Sequence, residues 1–269
     1  MTKSIFRGET VKGVVELVRL SGPVILARAG MVLMMLADTL MVGQHDSDQL
    51  SYLAISLIII QPLYVCGLGL IMGTQVMASI AHGGGRLADC GLAWRRGVPY
   101  AFCLGLQFCG FALFGEQGLR LTGQSEGLVV NGGRVVAISG YSLPFALLFV
   151  VSASFLEGIK RPMPGVIFLL IANIVNIFLN WVMIYGNWGA PIMGAEGAVW
   201  ATNICRFLLA ISIVAYIWWM RDHDKYGVRK KDTGGWQNWK KQREIGYASG
   251  LTVGVESIAF NGLGVLAGW

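Results

Sequence analysis

Asp38 is the side chain in this sequence with the least obvious reason to be where it is. It stands in Leu20 to Gly43, LSGPVILARAGMVLMMLADTLMVG, among Met34, Met35, Leu36, Leu40 and Met41, and the next polar loop starts only at Gln44. Crossing a bilayer takes about 20 mostly apolar residues, and this stretch is long and apolar enough. A carboxylate near the centre of such a helix costs roughly 2.5 to 3.5 kcal/mol on insertion scales. It therefore needs a partner, a proton, an ion or a water-filled cavity. The competing reading is hydration at the outer interface, about one turn before Gly43. Asn173, Asn176 and Asn180 are spaced three and four apart, which stacks them on one stripe of a helix. Facing lipid, three amides would lack partners, so the stripe faces protein or a cavity. From spacing alone it serves equally as a site or as interhelical glue, at about 0.6 to 2 kcal/mol per amide. Thr202 and Asn203, early in a later apolar run, are candidates to complete a polar pocket around Asp38, and Glu256 lies well inside the last apolar run. Arg28 and Arg206 also fall in apolar runs, to snorkel or to pair, while Glu157 reads as interfacial.

Signatures of enzymes are missing. There is no HExxH, no GxSxG and no Walker loop, and Gly83, Gly84 and Gly85 read as a turn between helices. His45, His82 and His223 are scattered through loops, with no metal-ligand spacing. The expectation is a protein that is not an enzyme and uses no cofactor. Five cysteines with no CxxC pair, most of them in apolar runs, read as reduced packing residues.

The elements that must position these groups are membrane helices. Of 269 residues, 55% are hydrophobic and 13% charged, against about 25% charged in soluble domains. Mean hydropathy is +0.60. Helices are expected at about 14–42, 52–81, 93–115, 132–157, 164–186, 195–220 and 244–269. The net charge of +6 forms no basic face of the kind that binds nucleic acid. It is sorted by loop instead. Lys3, Arg7, Lys12 and Arg19 precede the first span, and Arg86, Arg95, Arg96, Lys160 and Arg161 mark the second and fourth loops. The sixth, RDHDKYGVRKKDTGGWQNWKKQR, is the most basic, and the first and fifth have no Lys or Arg. This alternation predicts a cytoplasmic N-terminus and cytoplasmic even-numbered loops. The N-terminus lacks a short apolar core with a small-residue cleavage site, so the first span is read as the membrane address. Gly69 to Gly73 and Gly250 to Gly254 have the small-xxx-small spacing of close helix packing, and Pro144 is the expected kink.

Glu16, Ser21 and Gly22 recur in register as Glu244, Ser249 and Gly250 at the approach to the seventh helix. Such internal repeats are common in transporters. On this reading a second six-helix unit starts near residue 240 and the chain stops after its first helix.

Several runs carry a family likeness: Ala37 to Gly43 (ADTLMVG), Pro144 through Leu156-Glu157-Gly158, Arg161-Pro162 and Pro164, then Asn173, Asn176, Asn180 and Gly186, and GAEGAVWAT from Gly194 to Thr202. Together they resemble the N-lobe of multidrug and toxic compound extrusion (MATE) transporters, nearest the bacterial NorM-like branch. The resemblance implies an all-α polytopic membrane protein: a six-helix transmembrane lobe over 1–220, a basic cytoplasmic linker over 221–243, and the first helix of a second lobe over 244–269. It implies antiport against H+ or Na+ in a bacterial inner membrane, exporting small-molecule organic cations, with membrane lipids as surroundings and the oligomeric state open. Asp38 would bind the coupling ion beside Asn176, Asn180 and Thr202. Glu256 would match the acidic residue of the second lobe's cation site, so Na+ could sit at either carboxylate. Some relatives carry Asp where this chain has Asn180. Two alternatives stand beside this reading: a flippase for lipid-linked precursors, for which Arg28 and Arg206 would supply cationic groups, and a fragment that inserts without transporting.

Overall fold

In hydrocarbon every backbone N–H and C=O must be satisfied internally, so long apolar runs fold as helices. The computed structural model describes residues 2–121, 123–230 and 236–267, with side chains described for 21–121, 123–230, 237, 239–257 and 259. Helix α1 runs Thr2–His45 and α2 Ser47–Gly83, the junction capped by the Asp46 carboxylate, which accepts from the Asp48 amide at 2.8 Å. Helix α3 (Leu87–Leu113) bends by 49° into α4 (Gly115–Leu121). A wide turn at Leu128–Gly132 leads into α5 (Gly133–Gly140) and then α6 (Leu143–Gly158). Helix α7 is Met163–Met183, α8 is Ala195–Trp219 and α9 is Lys240–Ala267. Among the described residues five stretches are long and apolar enough to span a membrane, or six if the bent α3–α4 pair counts as one. They are the first six expected spans, and α9 covers the seventh as a helix.

One expectation shifts in detail. The break in the fourth span comes at Tyr141 and Ser142, so Pro144 sits in the first turn of α6, where its missing N–H removes no intrahelical bond. The third loop is mostly helical, and within it Arg120 pairs with Glu116 at 3.1 Å and Glu126 at 3.0 Å. One cation thus sits between two carboxylates.

The loops sort by parity. Tyr226, after α8, accepts at its carbonyl from the Gly91 amide at 2.9 Å and stacks on His82, while Asp222 meets Arg161 at 2.6 Å. Those contacts join the second, fourth and sixth loops. Burial raises the Tyr226 hydroxyl above its ordinary pKa, so the Arg161 guanidinium 5.6 Å from the ring centroid faces a neutral aromatic. The odd-numbered loops meet elsewhere: Gln49 Oε1 accepts from the Ala195 amide at 2.9 Å, and His45 lies edge-on to Tyr185.

The main core is built from Leu143, Leu147, Phe155 and Leu156 of α6 against Trp94 of α3 and Ile213 and Ile217 of α8, all nearly inaccessible. Close approach depends on missing side chains. A Cβ at Gly105 would overlap the Pro144 backbone, and one at Gly69 would lie 2.6 Å from the Cα of Gly250. The two small-residue pairs noted in the sequence thus meet where α9 crosses α2. On α7, Ile171, Ile174 and Ile177 are exposed while Asn176 and Asn180 are wholly buried, so the polar stripe points inward as spacing requires.

Gly105→Val is expected to cost about 1–3 kcal/mol by overpacking. Gly110→Ala, with nothing within 4 Å of the added methyl, is expected to be neutral or slightly stabilising. Melting curves of the two variants in detergent check both outcomes.

Candidate functional site

Helices α1, α7 and α8 bring their polar residues to one point. Asp38 is 9% exposed and accepts three hydrogen bonds. Asn180 Nδ2 donates to Oδ1 at 2.7 Å, Asn176 Nδ2 to the same oxygen at 3.1 Å, and Thr202 Oγ1 to Oδ2 at 2.6 Å. The donors also bond one another: Asn180 Nδ2 to Asn176 Oδ1, and Asn176 Nδ2 to Thr202 Oγ1, both at 3.3 Å. The geometry follows from local structure. Asn176 and Asn180 are one turn apart on α7 and present their amides as a pair, and Thr202 lies two turns into α8. All three donors are neutral, so the carboxylate is hydrogen-bonded but its charge is not cancelled.

One oxygen in the cluster is unused. Asn180 Oδ1 is buried with no hydrogen-bond partner among the described residues. An unpaired buried acceptor costs about 1–3 kcal/mol. The same amide donates from Nδ2 to Asp38 Oδ1, so this free oxygen stands next to the carboxylate cluster.

Asp38 and Thr202 line a cavity of about 160 Å³ that is walled by apolar side chains such as Met34, Leu57 and Phe149. Asn203, Ser139, Ser142, Tyr64 and Arg206 supply its other polar groups. Arg206, to which the sequence assigned no role, donates from Nη1 to Ser142 Oγ at 2.7 Å and lies 5.5 Å from the Tyr64 ring centroid. Its place one turn after Thr202 was the available signal. Nothing in the pattern marked Tyr64.

Not every expected residue joins the site. Asn173 donates to its own Leu169 carbonyl at 2.8 Å, so the stripe of three serves as a pair. Asn203 donates to the Ile138 carbonyl at 2.7 Å and faces the cavity without bonding Asp38. Glu157 accepts from Gln75 Nε2 at 2.9 Å and shares a separate crevice with the exposed Arg28. Glu256 is exposed on α9, two residues past Gly254, which packs against Cys66 of α2. It stands apart from the Asp38 cluster.

The MatE family model matches residues 23–182, which contain Asp38, Asn176 and Asn180. The chain belongs to the MatE family. It is 35% identical over 264 residues to the probable multidrug resistance protein NorM of Caulobacter vibrioides, covering 98% of this chain and 56% of that protein. Similarity to the mouse multidrug and toxin extrusion protein 2 is 28% over 89% of this chain and 41% of the mouse protein. Thus the chain spans about half the length of the curated relatives it matches. The eukaryotic MATE transporter AtDTX14 superposes with a TM-score of 0.85 at 18% identity, over 96% of this chain and 57% of that one. An inward-facing multidrug resistance MATE family transporter gives 0.77, at 18% identity over 87% of this chain and 53% of that one. These likenesses establish the MATE fold, and MATE proteins are transporters rather than enzymes. Drug efflux homologues connect the family to small molecules.

Asn180→Leu is expected to lose about 1.5–3 kcal/mol of stability, because its bond goes to a charged acceptor. In a double-mutant cycle with Asp38→Asn the two losses should be non-additive by 1 kcal/mol or more. Thermal unfolding of the four proteins reads the coupling.

Proposed function

We propose that this chain forms the N-terminal six-helix lobe (1–220), basic linker (221–243) and first second-lobe helix (244–269) of a cation-coupled exporter of amphipathic drugs. Asp38, with Asn176, Asn180 and Thr202, is the coupling-ion site, taking H+ or Na+. Glu256 belongs to the cation site of the second lobe. The N-terminus and the even-numbered loops face the cytoplasm of a bacterium, as the positive-inside pattern of the loops supports, and the membrane is the inner one.

One observation carries this reading: a carboxylate at the wall of an apolar cavity accepts its hydrogen bonds, among the described residues, from neutral donors on two other helices. A negative charge solvated in this way is open to a cation. Protonation converts one carboxylate oxygen from acceptor to donor, so at least one of the three donors must find another acceptor. A metal cation instead draws the carboxylate and the free Asn180 Oδ1 toward itself. Either event changes the bonds that tie α1 to α7 and α8. Only such a difference in affinity between two arrangements of the helices can shift their populations. The same cavity offers methionine and aromatic surface to amphipathic organic cations.

A flippase for lipid-linked precursors would need cationic groups converging on a pyrophosphate. Among the described residues Arg206 is the one cation lining the cavity, while Arg28 lines the crevice with Glu157. One lining cation is a weaker match to a pyrophosphate than to the exporter reading, which this arrangement supports.

Asp38→Asn is expected to abolish ion-driven dye efflux from cells while membrane insertion and expression persist. Efflux at the unmodified rate would reject the role. Expressing the 269-residue chain beside a version carrying a full second lobe tests the fragment reading, with ion-dependent efflux expected from the longer form.

A further inference from the structure

Helices α7 and α8 share an outward surface that is apolar. Ile167, Ile171 and Ile174 of α7 and Leu208 and Ile211 of α8 are exposed, the pattern of helix faces that meet lipid tails. Toward the fourth and sixth loops this surface opens into a groove of about 660 Å³ between the two helices. Ser212, Ala215, Tyr216 and Trp219 follow at helical spacing along one face of α8, and Phe168 of α7 meets the Tyr216 ring edge-on at 6.0 Å. The small Ser212 and Ala215 leave the space that the aromatic rings border. At its loop end the groove is lined by Arg161, Arg221 and Asp222.

The charge there is positive. Asp222 is already taken, since its carboxylate meets Arg161 Nη2 at 2.6 Å, and Asp224 lies 3.3 Å from His223 Nδ1. A guanidinium carries five N–H donors, so Arg161 retains others. Arg221, next in the chain, is exposed, with no ion pair or hydrogen bond among the described residues. Arg229 donates to the Trp218 carbonyl at 3.1 and 2.7 Å, which brings another guanidinium to the end of α8. Trp218 and Trp219 are exposed beside it, as aromatic rings are where a span passes from hydrocarbon to headgroups.

An apolar groove that ends in guanidinium groups, on a surface facing lipid, matches a molecule with an acyl chain and a phosphate. Arginine binds phosphate through paired N–H donors, and basic pockets between membrane helices take up anionic headgroups. A zwitterionic lipid would bring an ammonium to a place that is already cationic. We propose that the groove between α7 and α8 binds an anionic phospholipid, with its phosphate between Arg221 and Arg161 and an acyl chain along Ser212, Ala215 and Phe168. Arg161 precedes α7 and Arg221 follows α8, so the lipid ties the fourth loop to the sixth beside the Arg161 to Asp222 pair. None of the groove's lining residues lines the Asp38 cavity, and the proposal does not depend on the transport reading.

Native mass spectrometry of the 269-residue chain in detergent, with dioleoylphosphatidylglycerol or the matched phosphatidylethanolamine added, gives the two affinities. Phosphatidylglycerol is expected to bind about tenfold more tightly. Arg221→Gln should remove most of that ratio. Arg86→Gln, which takes a cation paired with Asp89 from the second loop, should leave it unchanged. Ala215→Phe keeps every charge and fills the groove, and should weaken phosphatidylglycerol binding about as much as Arg221→Gln does. Circular dichroism shows whether each variant is folded, and the exposed Arg221 decides the matter should Ala215→Phe misfold. Inorganic phosphate should not displace the lipid. Equal affinities for the two lipids would mean ordinary boundary lipid, and an equal loss in Arg86→Gln would mean general loop charge. Those results, displacement by inorganic phosphate, or undiminished binding to a folded Ala215→Phe protein would each overturn the proposal.

Discussion

The close approach of α1, α7 and α8 answers to the need to solvate one carboxylate inside an apolar span. Asp38 sits among methionines and leucines, and the protein replaces its hydration shell with two amides and a hydroxyl from helices remote in sequence. Those donors have to arrive at fixed distances. Helix α7 must therefore face inward at Asn176 and Asn180, α8 must enter at Thr202, and α1 must lie close against both. The glycine contacts and tight turns serve that end, because helices that could not approach closely would leave the charge bare. Three neutral donors stabilise the ionised form without neutralising it, so the site stays receptive to a cation.

Much of this was legible in the sequence because a membrane makes local patterns stringent. A charged residue within a span is rare enough to mark itself, and the period of a helix puts Asn176 and Asn180 on one face. Composition and loop charge predicted seven alternating spans; five or six described stretches qualify by length and apolarity, and the contacts among the second, fourth and sixth loops agree with the alternation. What could not be read were relations fixed by packing. Asn173 fits the stripe as well as its neighbours do, yet a rotation of a few tens of degrees gives it only its own backbone. Arg206 looked like any snorkelling cation until the third dimension put Ser142 and Tyr64 beside it. The bend between α3 and α4 has no proline to announce it.

The small-residue contact between α2 and α9 bears on the same site. Gly69 and Gly250 let the two helices touch along their backbones, and Gln242 of α9 locks the seam by donating to Thr74 Oγ1 and the Ala93 carbonyl, both at 3.0 Å. Tyr64 and Gln61, one and two turns before Gly69 on α2, line the Asp38 cavity. The helix that carries the seam thus also supplies part of the cavity wall.

The central claim is that Asp38 is the group that loads a cation inside the bundle. Infrared difference spectroscopy on the membrane-embedded protein, taken while H+ or Na+ is exchanged, reads carboxyl groups directly. The account predicts a carboxyl difference band on loading that disappears in Asp38→Asn and shifts in Thr202→Val, where the shortest hydrogen bond is lost. The same band persisting in Asp38→Asn would contradict it.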